Sequence, residues 1–197
     1  MVDDTLAFVG PSGSGKSTLV KLLVESYTPL RGEITYNDVP LREILMNTAR
    51  RQFGFVTQDT SLFSGSLREK LLFVKPDATD AEMLDALHKA AAMGIQNQSG
   101  KGLDTPIGEG GMMLSGGEKQ RISIARSLIR NPKLLIFDEA TSALDSLTED
   151  EITETVKNVS LSRERITILI AHRLSTILHA NSIIVLEKGK IVETGNH

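Results

Sequence analysis

The sequence predicts an α/β fold: a mostly parallel sheet with crossover helices, into which a largely helical segment is inserted. Three observations carry that prediction. An apolar run, Leu6-Ala7-Phe8-Val9, leads straight into Gly10-Pro11-Ser12-Gly13-Ser14-Gly15-Lys16-Ser17 and then into residues 19–24, apolar on one face. Three later runs, 134–137, 166–170 and 183–186, are apolar enough to read as strands covered on both faces. Residues from about 61 to 130 instead show helical spacing between loops rich in Gly, Ser, Asn and Thr.

The first strand, loop and helix form one unit. Residues 32–38 then read as an exposed strand and turn, 42–51 as a short helix, and 53–57 as a strand ending at Gln58. In the middle, a helix over 80–93 places Met83, Leu84, Leu87, Ala90 and Ala91 on one face. A second helix starts at Ser115 and runs to Arg130, with Ile122, Ile124, Ala125, Leu128 and Ile129 on its apolar side. Asn131-Pro132 stops it, and the sheet resumes. Lys188-Gly189 turns the last apolar run into Ile191-Val192-Glu193 as a hairpin. The expected organisation is a single unit over 1–197. Residues 1–60 and 131–197 form the sheet core, and about 61–130 the helical subdomain.

Bulk properties narrow the function. With 197 residues, 40% of them hydrophobic, the chain can bury one sizeable core. A net charge of −3 and 4% aromatics, with no Trp, disfavour a nucleic-acid surface. No Cys is present, which excludes disulfides and cysteine–metal sites. No apolar run approaches the ~18 residues a membrane helix needs, and the acidic start does not read as a signal peptide.

The loop after the first strand fills the pattern G-x-x-x-x-G-K-[ST]. In a strand–turn–helix setting its backbone N–H groups and the helix terminus converge on phosphate. Lys16 can reach β- and γ-phosphates, and the Ser17 hydroxyl can ligate Mg²⁺. Residues 134–139 put two acids at the end of a buried strand, delivering them to the sheet edge where ligands bind. Asp138 is placed to hold Mg²⁺ and Glu139 to orient or deprotonate a water. Ser115, with Glu118 three residues on, forms a capping box. The two glycines between, Gly116 and Gly117, leave amides open at a second anion-suited helix start. One chain's ATP has no evident need of it, so it suits a phosphate held by another subunit.

Together these motifs resemble, in order and over nearly the whole chain, the nucleotide-binding domain of an ATP-binding cassette (ABC) transporter: a P-loop NTPase core plus an α-helical subdomain. GPSGSGKST resembles Walker A, Gln58 the Q-loop glutamine, LSGGEKQ the ABC signature and LLIFDE Walker B. Ser142-Ala143-Leu144-Asp145 resembles the D-loop and His172 the switch histidine. The resemblance implies that Gly10, Ser12, Gly13, Ser14, Gly15, Lys16, Ser17 and Thr18 cradle ATP. It implies Ser17, Gln58 and Asp138 for Mg²⁺, with Glu139, His172, Gln58 and Lys16 as the catalytic set. Ser115, Gly116, Gly117 and Asp145 would act in trans on ATP bound to a second such domain, identical or not. Residues 105–111 and 58–67 resemble exporter segments, implying ATP-driven export with a transmembrane partner in the same polypeptide, at the cytoplasmic face of a membrane.

The family carries further strands and an adenine-stacking aromatic ahead of Walker A. Here Met1 opens almost directly on that strand, so the expectation is an N-terminally truncated piece of a longer polypeptide. The competing reading is a soluble ABC ATPase acting on nucleic acid or the ribosome. It is disfavoured by the mild acidity and by the absence of inserted heptads. A catalytically silent regulatory domain is disfavoured by Glu139 and His172.

Overall fold

In the computed structural model the described residues are 4–57, 60–108, 111–140, 145–161, 165–171 and 174–196. Strand β1 (Thr5–Val9) runs through the glycine loop into α1 (Lys16–Leu23). A hairpin of β2 (Thr35–Tyr36) and β3 (Val39–Pro40) turns through Asn37 and Asp38, both at positive φ. The helix expected over 42–51 is broken into a 3₁₀ turn, Leu41–Glu43, and α2 (Met46–Arg50). Ile44 and Leu45 between them are extended. Strand β4 (Phe53–Thr57) falls where its apolar run predicts.

Between β4 and β7 the chain is mainly helical. The order is β5 (Gly65–Ser66), α3 (Leu67–Leu72), α4 (Asp80–Lys89), α5 (Met93–Gln98), a 3₁₀ turn Gly102–Asp104, β6 (Pro106–Ile107) and α6 (Gly116–Leu128). Capping boxes open α3 (Ser66 with Glu69), α4 (Thr79 with Glu82) and α6 (Ser115 with Glu118), each satisfying helix-end donors reciprocally. The helix expected over 80–93 stops short. Ala91 takes φ 51, its N–H donates to the His88 carbonyl, and the Ala92 N–H donates to the Leu87 carbonyl. That left-handed C-terminal turn exposes Ala91 and tucks Ala92 into the core, so Ala91 leaves the buried face.

The remaining elements are β7 (Leu134–Asp138), α7 (Ser146–Ser160), β8 (Ile166–Ile170), α8 (Leu174–Ile177), β9 (Ser182–Glu187) and β10 (Lys190–Gly195). The main sheet has the order β10-β9-β1-β8-β7-β4; all neighbours are parallel except β10, which returns antiparallel on β9. The β9–β10 turn is Lys188-Gly189, both at positive φ.

Alternate residues of β7 serve opposite faces, as the two-residue period of a strand requires. Leu134 and Ile136 join a cluster with Phe8, Ile168 and Ile170, covered by Val20 of α1. Leu135 and Phe137 join Ala7, Val56 and Leu169 in a larger cluster, covered by Ile122, Ile124 and Ala125 of α6 and by Ile152 and Val156 of α7. Each fully buried side chain of this kind contributes about 1.5–3 kcal/mol. Met83, Leu87, Leu67 and Leu71 of the helical segment belong to that same cluster, so its apolar core is continuous with the sheet's. Strand β9 departs from expectation. Its Ile183, Ile184 and Val185 are only half-buried, because the neighbouring β10 is exposed along its length.

Candidate nucleotide site

Parallel strands bring their carboxyl ends to one edge, and the sequence puts its chemistry there. β1 ends in the glycine loop, β7 in Asp138 and Glu139. β4 ends at Thr57 and β8 at Ile170, just ahead of Gln58 and His172. Gln58, His172 and Ser142-Ala143-Leu144 lie outside the described residues.

The loop is a cradle. Gly10, Gly13 and Gly15 have φ of 146, 77 and 105. Helix α1 begins without a side-chain cap and without an acid in its first turn, so its leading N–H groups remain available for an anion. The Ser14 Oγ is buried there without a hydrogen-bond partner among the described residues. Lys16 is buried, and its Nζ donates to the carbonyls of Gly10 (2.8 Å) and Pro11 (3.1 Å). It therefore spans the loop and meets no acid in those contacts. An uncapped helix start, an orphaned hydroxyl and a buried ammonium around one loop fit a chain of phosphates.

Gly10 is irreplaceable for a packing reason as well. A Cβ there would lie 2.1 Å from the Leu186 carbonyl oxygen of β9. Gly10→Ala is expected to cost about 3 kcal/mol or more from overlap and backbone strain together. A guanidinium unfolding curve whose midpoint falls at unchanged slope would show it; an unshifted midpoint would refute it. The β9–β10 turn also supports the loop, through the Gly189 N–H donating to the Ser14 carbonyl at 2.9 Å. Nothing local in the sequence reveals that contact, since 175 positions separate the two residues.

The acids follow from how β7 ends. The Ser17 Oγ donates to Asp138 Oδ1 at 3.3 Å, tying the start of α1 to the end of β7 across β8. Glu139 then takes φ 53, uncommon for a residue with a side chain, while its N–H still donates to the Ile170 carbonyl at 2.9 Å. The strand thus keeps its pairing one residue beyond Asp138 and then turns away sharply. Burial pushes the Asp138 carboxyl above the usual carboxylate range; Ser17 and the lysines 21 and 16 pull the other way, and Glu139 adds to the rise. A hydroxyl and a carboxylate in contact make a hard-oxygen pair of the kind Mg²⁺ uses.

The sign of the Asp138 shift makes a prediction. The folded chain holds this proton more tightly than the unfolded one, so the Asp138 contribution is greatest at acid pH. It is lost as pH rises through the folded pKa. Asp138→Asn is therefore expected to raise the nucleotide-free melting temperature at neutral pH while weakening the magnesium dependence of nucleotide binding. Equal melting temperatures at pH 7 would contradict the first half.

At α6, Ser115 caps as expected. Its Oγ accepts from the Glu118 N–H (3.2 Å) and its own N–H donates to Glu118 Oε2 (2.8 Å). Ser115 and Gly116 are exposed, but Gly117 is buried. Asp145 caps α7, its Oδ1 accepting from the Thr148 N–H at 3.1 Å. That bond holds the Asp145 carboxyl below its ordinary range. Gln120, which the motif names but no local argument explains, is buried. It accepts from the Thr60 hydroxyl at 2.6 Å and donates to the Thr57 carbonyl at 3.3 Å, fastening α6 to the end of β4. Residues 65–66 and 106–107, both within the exporter-like segments, pair antiparallel as β5 and β6.

The sheet order, the phosphate cradle and the acids beside it define an α/β domain of the P-loop kind, built to hold a chain of phosphates. The ABC transporter family model matches residues 2–142, and the chain belongs to that family. Among its relatives, a Staphylococcus aureus protein named for multidrug export as an ATP-binding/permease protein is 47% identical over 194 residues, 98% of this chain and 33% of that protein. The ATP-dependent lipid A-core flippase 1 of Colwellia psychrerythraea is 46% identical, over 98% of this chain and 32% of its own length. A bacterial Atm1-family ABC exporter solved with ATP bound superposes with a TM-score of 0.87 at 41% identity, covering 100% of this chain and 34% of that one. The chain thus spans about a third of the length of the relatives it matches. No helix among the described residues is long and apolar enough to cross a membrane.

Proposed function

We propose that this chain is the ATP-hydrolysing motor of an ABC exporter, working at the cytoplasmic face of a membrane with ATP sandwiched between two such domains. The observation that carries the reading is the Ser17–Asp138 contact, which joins the phosphate loop to the acid pair at one sheet edge. The export relatives favour transport over the nucleic-acid or ribosome alternative. Residues 1–60 and 131–197 act as the RecA-like core and about 61–130 as the helical subdomain carrying the signature.

In this reading the amides of residues 12–18, with Lys16 and Ser14, hold the phosphates. Ser17, Asp138 and Gln58 would hold Mg²⁺. Held there, the ion would supply charge neutralisation on the phosphates. Glu139 orients the attacking water and accepts its proton, and His172 steadies the γ-phosphate. Ser115, Gly116 and Gly117 close on ATP held by the opposite copy, with Asp145 linking the two sites. The β5–β6 pair is the surface offered to the transmembrane part. Beside it the exposed rings of Phe63 and Phe73 lie tilted against each other with centroids 5.4 Å apart, and such an exposed aromatic pair suits a partner's apolar contact.

The test is Mg²⁺-ATP hydrolysis per molecule across a range of protein concentrations. Specific activity that climbs with concentration is expected, because each site needs two copies. Activity independent of concentration would refute the shared site. Salt-sensitive binding of DNA or RNA would restore the alternative.

A further inference from the structure

The second glycine of the signature is fixed by packing inside this chain, and the residue that fixes it belongs to another helix. A Cβ on Gly117 would lie 2.2 Å from the Cγ2 methyl of Thr148, with its Cβ and Oγ1 at 3.7 and 3.9 Å. No real Cβ tolerates such a contact, so the Thr148 methyl occupies the space a side chain at 117 would need. Thr148 is also the residue whose N–H donates to the Asp145 carboxylate at the start of α7. One residue therefore touches both segments assigned to the opposite copy's ATP: its methyl meets the signature glycine, and its amide meets the D-loop aspartate.

The contact continues along both helices. Arg121 lies four residues after Gly117, and Glu151 three after Thr148, each about one turn on and so on the same face. The Arg121 guanidinium pairs with the Glu151 carboxylate and also donates to the Ala91 carbonyl at 3.1 Å. Deeper in, Ile122 of α6 and Ile152 of α7 are fully buried in one cluster. The starts of α6 and α7 are thus sewn together over two turns.

We propose that Thr148 is a positioning residue. It holds the start of α6 against the cap of α7, so that Ser115, Gly116 and Asp145 meet the neighbouring copy's ATP as one rigid face. This rests on the head-to-tail reading above. It differs from the reading in which Gly117 lacks a side chain only to let phosphate approach.

Steric rescue separates the two. Thr148→Ser deletes the methyl and keeps the hydroxyl and amide; alone it is expected to raise the half-maximal dimer concentration about threefold, and a value equal to that of Glu139→Gln alone would overturn the positioning role. Each variant is made in the Glu139→Gln background, and ATP-driven dimer formation is followed by sedimentation velocity. Nucleotide binding to the single domain is titrated alongside with a fluorescent ATP analogue. Gly117→Ala is expected to raise the protein concentration for half-maximal dimer at least tenfold, with single-domain nucleotide affinity within twofold. Its melting temperature should fall by several degrees. Adding Thr148→Ser should return the half-maximal concentration to within about threefold of Thr148→Ser alone and recover the melting temperature. A double variant as impaired in dimerisation as Gly117→Ala, even with its melting temperature restored, would overturn the proposal and assign the glycine to ligand approach. Failure of Glu139→Gln by itself to dimerise with ATP would instead overturn the head-to-tail reading.

Discussion

Glu139→Gln is expected to cut ATP turnover by 10²–10⁴-fold, the usual contribution of a general base, while leaving ATP binding intact and lengthening the life of the ATP-bound dimer. The substitution keeps the size of the side chain and removes its capacity to accept a proton. Its backbone role should survive, since the N–H bond to the Ile170 carbonyl does not depend on the side chain. Steady-state phosphate release, with nucleotide affinity measured in parallel, checks both halves. Turnover retained within tenfold would sink the assignment. A companion variant probes why a side chain stands here in a left-handed conformation. Holding a non-glycine residue at φ 53 costs of order 1 kcal/mol or more. Glu139→Gly is expected to raise the melting temperature slightly while losing turnover, the mark of strain kept for chemistry. A lower melting temperature would show the conformation to be unstrained.

Lys16→Met is expected to weaken nucleotide binding by roughly 10–100-fold, from the ~1.5–3 kcal/mol attached to a hydrogen bond with a charged partner. The Lys16 ammonium donates to two neutral loop carbonyls, those of Gly10 and Pro11. Desolvation is therefore only partly compensated, and the cation stands ready for an anion. Methionine keeps the length and apolar stem of the side chain, so the fold should lose much less than the ligand. Titration with a fluorescent ATP analogue and a melting curve on the same preparation separate the two effects. Equal nucleotide affinity in both proteins would mean that the loop amides alone carry the phosphates. A large fall in melting temperature with unchanged affinity would make Lys16 a structural strut.

The sequence by itself determined the elements whose cause is local. Residues 53–57 and 166–170 became β4 and β8 because short, β-rich apolar runs bounded by turn residues have few other ways to bury themselves. Ser115 and Glu118 announced the start of α6 because a capping box is complete within four residues. Asp138 and Glu139 arrived at the ligand edge because a buried strand that ends in acids must deliver them there.

Other elements were not legible. Helix α3 is too short for its period to register. Helix α7 is rich in charge, and its apolar residues gain meaning only from the sheet they cover. The run over 80–93 looked continuous, yet Ala91 turned outward because burying Ala92 and restarting at α5 served the core better.

Tertiary structure alone decided the rest. It set the order β10-β9-β1-β8-β7-β4, which no single strand encodes. It placed Ser17 against Asp138, 121 positions apart. It also supplied a second reason for a glycine at 117, the methyl of Thr148. Hydrogen-bonded caps and apolar periodicity are short-range and can be read from neighbours in the chain. Steric exclusion between helices depends on which surfaces the whole fold brings within a few ångströms, and that exists only once the chain has folded.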